Sequence, residues 1–155
     1  MKKSNIVNIC LIVIMLLTLL ISSSMNLIWM MANDYTAEFI TFLTTMFFLI
    51  ISVIYFVKVD LKWTISMIIT ILMIVFWILM LLCGAMNIIY YTTDIYIGFL
   101  LDFFISPPLI GISYITDMLN ANSSVLILGI AYIIISLGVL SIPVIRFRKG
   151  KKSVT

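Results

Sequence analysis

The chain has 155 residues, 65% of them hydrophobic and only 10% charged, with a formal net charge of +3 and a mean hydropathy of +1.32. Soluble domains carry about 25% charged residues, so an ordinary soluble fold is excluded, and so small a positive balance is no nucleic-acid footprint. What remains is a single membrane domain spanning 1–155, with almost no length left for a soluble module.

The first apolar segment runs from about Ile6 to Met31. It opens as a secretory signal does, with Lys2 and Lys3, an apolar run and then Ser22-Ser23-Ser24. Apolar character resumes at Met25, however, and no A-x-A site follows, so the segment reads as a retained helix. The second segment covers about Phe39 to Val57 and the third about Trp63 to Tyr91. A last one spans about Val125 to Ile145, with Asn122, Ser123 and Ser124 placed to cap its start. Each reaches the roughly 20 residues needed to cross about 30 Å of hydrocarbon. Pro143 is expected to kink the last helix or break its final turn, leaving 146–155 as a basic tail.

Between the third and last segments, Ile95 to Ile115 is apolar but carries Asp102 near its middle and then Pro107-Pro108. A fifth crossing would bury that carboxylate at about 2.5–3.5 kcal/mol. It would also put the tail on the wrong side. The stretch from about 95 to 117 is therefore read as an outer hairpin, either re-entrant or interfacial, broken at the two prolines.

Charge sets the direction of threading. All nine basic residues fall in three groups: Lys2 and Lys3; Lys58 and Lys62; and Arg146, Arg148, Lys149, Lys151 and Lys152. Asp34, Glu38, Asp94, Asp102 and Asp117 lie in the stretches between them, and Asp60 alone sits among the lysines. Cytoplasmic loops of membrane proteins carry the Lys/Arg excess. The expected fold is thus an all-α integral membrane protein: a four-transmembrane-helix bundle in the cell membrane, both termini cytoplasmic, with the outer hairpin between helices three and four. The basic tail would lie against anionic lipid at the membrane surface. A surplus of Ile, Met, Asn and Lys over Ala, Arg and Gly suggests an AT-rich, bacterial coding genome.

Small and weakly polar residues mark helix contacts in lipid, because they permit close approach and hydrogen bonds between helices. Read at about 100° per residue, each segment has one such stripe. The first holds Met15, Thr18, Ser22, Asn26 and Trp29; the second Thr41, Thr44, Thr45, Ser52 and Tyr55. The third holds Ser66, Thr70, Trp77, Gly84, Asn87 and Tyr91, and the last Gly129, Tyr132, Ser136 and Pro143. These stripes predict the inward faces of a compact bundle.

Catalytic material is scarce. The chain has no histidine, the commonest general base and metal ligand. Cys10 and Cys83 offer neither zinc spacing nor a C-x-x-C motif. They are expected about 20 Å apart along the membrane normal, too far for a disulfide, and both are read as pointing away from the polar stripes. The one candidate constellation for an ion or polar headgroup is on the outer side: Asp102, Glu38, Asn26, Asn87 and Tyr91, whose carboxylate, amide and phenol oxygens suit such a ligand. No cofactor or metal is implied.

Four crossings with both ends inside resemble tetraspanin-like proteins in outline. Their Cys-Cys-Gly signature in the outer loop is not present, and the Cys83-Gly84 pair falls inside a helix. The functional expectation is a non-enzymatic accessory, regulatory or immunity-type partner of another membrane protein. The alternative is a small homo-oligomeric transporter, channel or holin-like pore. A lipid-acting enzyme would need an oriented nucleophile or base, and nothing here orients Asp102, Glu38 or the serines.

Overall fold

A computed structural model describes residues 3–32, 35–60, 64–93, 107–113 and 124–152. Those residues form four long helices: α1 (Lys3–Ala32), α2 (Tyr35–Lys58), α3 (Thr64–Thr93) and α4 (Ser124–Lys152). A short 3-10 helix, η1 (Pro107–Ile112), lies between α3 and α4 in sequence. All four long helices are apolar and long enough to cross a membrane. Much of their sequence is β-branched, which in water would disfavour helix. In lipid every backbone N–H and C=O must find a partner within the segment, and the helix supplies it.

The expected segments all appear: α1, α2 and α4 extend beyond the expected bounds, and α3 matches them to within two residues at either end. The largest difference is at Pro143, which lies inside α4 and does not end it: the helix continues through the first part of the expected tail to Lys152. Proline removes one backbone donor and crowds the preceding turn, but a helix at membrane depth has no competing conformation that satisfies its other amides. Of the expected outer hairpin, only 107–113 falls within the described residues. There the two prolines open a 3-10 helix, and the expected arms on either side lie outside the described residues.

The helices pack as two antiparallel pairs, α1 with α2 and α3 with α4, joined chiefly through α2 and α4. At the middle of the bundle lie Met15, Phe48, Tyr55, Trp77, Met80 and Tyr132, all fully buried. The Trp77 indole stacks on the Phe48 ring at 5.9 Å, and Phe76 meets both rings edge-on at 5.6 and 6.0 Å. Offset and edge-on aromatic pairs of this kind each add about 1 kcal/mol beyond their burial. On the outside, Leu20, Phe47, Leu72, Ile134 and many other large apolar side chains are exposed. A surface of that composition is at home in hydrocarbon and not in water.

Neither cysteine forms a disulfide; Cys10 is exposed and Cys83 is buried. Cys83, expected to point away from the polar stripe of α3, is nonetheless buried. α3 packs on α4 and shares the aromatic core with α2, so its buried face is wider than its polar stripe and takes in Met73, Met80 and Cys83 as well.

Candidate functional site

Two places bring side chains from one helix onto the backbone of another element. The first is the turn that ends α2. Val59 still donates to Tyr55 O at 2.9 Å, but the last carbonyls of a helix have no partner within it. Arg146, on α4, supplies one. Its Nη1 donates to Phe56 O at 2.6 Å and its Nη2 to Val59 O at 3.0 Å. A cation at a helix C-terminus is favoured by the backbone dipole as well, and the guanidinium fork reaches two carbonyls at once.

Asn8, on α1, grips the same turn. Its Oδ1 accepts from the Asp60 backbone N–H at 3.0 Å, and its Nδ2 points at Asp60 O at 3.5 Å. Asn8 is only 2% exposed, so both its groups need such partners. α1 and α4 are thereby tied to one short stretch of backbone, 56–60.

The second place is η1. Pro107, Pro108, Leu109, Gly111 and Ile112 are all buried, packed between α1 and α2. Ser22 Oγ donates to Pro108 O at 2.8 Å. Gly111 lies so close to α2 that a Cβ there would collide with the Thr41 carbonyl oxygen and come within 2.5 Å of Thr45 Oγ1. Glycine is required here by the close approach of backbone to backbone.

Among the outer candidates, Asp102 lies outside the described residues, as do the side chains of Asn26 and Glu38. Asn87 is buried, and Gly129 of α4 packs against its Cβ. Tyr91, one turn further along α3, is 45% exposed. The two described members of the cluster thus face different surroundings. The packing candidates Thr18, Ser22, Thr41, Thr45, Ser52, Ser66, Thr70, Trp77, Gly84, Gly129 and Ser136 are all buried. Several hydroxyls close onto their own helix: Thr18 to Met15 O, Ser52 to Phe48 O and Thr70 to Ser66 O, at 2.7–2.9 Å. Thr70 also shares a hydrogen bond with the Tyr55 hydroxyl across α2 and α3, at 3.1 Å. Ser66 Oγ, Trp77 Nε1 and Ser136 Oγ have no hydrogen-bond partner among the described residues.

Of the basic tail candidates, Arg146 engages the α2 carbonyls, while the side chains of Arg148, Lys149, Lys151 and Lys152 lie outside the description. A shallow apolar groove of about 380 Å³ between α1 and α2 is lined by Thr18, Ile21, Leu43, Thr44 and Phe47. No group of three or more His, Cys, Asp or Glu able to hold a metal occurs among the described residues.

Sequence reasoning passed over Asn8 and Gly111. Asn8 could have been found, since it lies seven residues before Met15 and so prolongs the stripe of α1 by two turns. Nothing in the local pattern announces the role of Gly111.

The structure defines an all-helical protein with four helices suited to crossing a membrane. The chain matches no protein family, no curated protein and no solved structure.

Proposed function

We propose that this chain is an accessory subunit, of the regulatory or immunity type, that acts without catalysis by packing against another integral membrane protein. The reading places it in the bacterial cell membrane with both termini cytoplasmic, as the distribution of Lys and Arg favours. On this reading the stretch from 95 to 117 lies on the outer side, as a re-entrant or an interfacial hairpin. The observation that carries the reading is the use made of the hydroxyls. Thr18, Ser22, Ser23, Thr44, Ser52 and Thr70 all donate to backbone carbonyls of the chain itself. Polarity at these described positions therefore serves the fold, and the face turned outward is apolar, which suits a protein partner in lipid better than a soluble substrate. The test is crosslinking of a tagged copy in native membranes, then identification of what co-purifies in mild detergent. One stoichiometric membrane partner supports the reading. A self-associated ladder with no partner overturns it.

A second reading, a small homo-oligomeric transporter, channel or holin-like pore, is favoured by the hydroxyls of Ser22 and Thr45 meeting η1 deep in the bundle. Its path would include Asp102, the acid most deeply set in apolar sequence. Asp102→Asn should abolish flux under this reading, and leave partner capture largely intact under the first.

A further inference from the structure

We propose that Pro107–Ile112 is a removable plug, seated between α1 and α2, whose departure opens a hydroxyl-lined cleft in the half of the bundle remote from the 56–60 turn. The seat and the opposite end of the bundle are built differently. At 56–60, Asn8 and Arg146 bind backbone groups directly, so α1, α2 and α4 are tied together there by hydrogen bonds. Around Ser22 and Thr41, the outer parts of α1 and α2 both pack on η1. Lifting η1 out would leave the α1–α2 pair in place and open the space that η1 fills beside Ser22 and Thr45.

The chemistry of both surfaces suits reversible seating. Two successive prolines leave η1 without two of the N–H donors that another sequence would have to desolvate each time it seated. Pro108 O is met by a hydroxyl that can turn to water when the carbonyl leaves. The seat exposes Ser22 Oγ and Thr45 Oγ1, which water can solvate, so the emptied cleft is wettable. Gly111 sets the fit: any side chain there meets the Thr41 carbonyl, which is backbone and cannot step aside.

The experiment is site-directed thiol labelling of the full chain in sealed vesicles, with a membrane-impermeant maleimide added to one face at a time. Thr45→Cys reports the seat, Ser52→Cys the bundle about 10 Å deeper along α2, and Lys58→Cys the opposite face. All are placed in a Cys10→Ala background, and Cys83 is buried. Slow labelling of Thr45→Cys is expected from the face opposite the one that labels Lys58→Cys. Ser22→Ala removes one hydrogen bond and should speed it roughly fivefold, the equivalent of about 1 kcal/mol. Gly111→Leu, which cannot seat, should make it as fast as an exposed thiol while Ser52→Cys stays unreactive. Equal rates in the parent and both variants overturn the proposal. So does labelling of Ser52→Cys alongside Thr45→Cys, because η1 would then be a structural member of the bundle. Labelling of Thr45→Cys from the Lys58 face also overturns it.

Discussion

Gly84 of α3 and Gly129 of α4 face each other so closely that a Cβ on either would reach the other's carbonyl oxygen, at 2.7 Å from Gly84 and 2.8 Å from Gly129. Neither contact can be relieved by a side-chain rotation, since both partners are backbone. The α3–α4 pair therefore depends on two missing side chains at one level of the membrane, the close approach that small residues allow in lipid. Gly84→Val and Gly129→Val should each destabilise the bundle by about 1–3 kcal/mol. Gly138 has open space around it, so Gly138→Ala should be neutral or mildly stabilising through helix propensity. Reversible unfolding by sodium dodecyl sulfate in mixed micelles measures all three, and a Gly84→Val variant as stable as the parent would refute the account.

Arg146→Ala should leave the Phe56 and Val59 carbonyls without their donor. A loss of about 2 kcal/mol is expected for a charged hydrogen-bonding group of this kind. Arg146→Lys keeps the charge but cannot span both carbonyls, so it should fall between parent and alanine variant. Amide hydrogen exchange over the last turn of α2 should rise in step. Lys58→Ala, at an exposed position in the same turn, should change little.

For Asn8 the informative change is Asn8→Asp. The carboxylate can still accept from the Asp60 N–H, but it cannot donate and would turn an oxygen toward Asp60 O. Both Asn8→Asp and Asn8→Ala should cost about 1–3 kcal/mol, with exchange increasing at Asp60 and not at the far ends of the helices. Equal protection at Asp60 in parent and variants would show that the turn does not need α1.

Tyr55 and Thr70 provide a measure of polar coupling in the core. Tyr55→Phe and Thr70→Val each remove one side of the shared hydrogen bond, while Thr70 alone also donates to Ser66 O. The double-mutant cycle should give a coupling of about 0.6 kcal/mol, the average for such bonds between membrane helices. A coupling near zero would mean that the two hydroxyls meet without holding each other.

What could be read from the sequence was much of the inward faces, although Tyr91, placed on the stripe of α3, is exposed. Hydroxyls and glycines at helical spacing, such as Thr41, Thr45 and Ser52 in α2 or Gly129 and Ser136 in α4, are buried positions. That follows because lipid penalises an exposed hydroxyl and rewards close backbone approach, and both effects act on residue type. The contacts that fix the two ends of the bundle were harder to read for one common reason. Asn8 and Arg146 bind backbone groups of Asp60, Phe56 and Val59, and Gly111 meets the backbone of Thr41. Every residue except proline has the same N–H and C=O, so the partner's identity leaves no trace. Arg146 looked like one more lysine-rich tail residue because composition cannot separate a cation that caps a helix from one that faces headgroups.

The cap on α2 also has an order in time. A chain made from its N-terminus completes α1 and α2 long before Arg146 exists, so the Phe56 and Val59 carbonyls must wait at the membrane surface for the last helix to arrive. Until then those carbonyls lack their guanidinium partner, and the C-terminal end of α2 stands uncapped. A copy truncated before Arg146 would carry that uncapped end permanently.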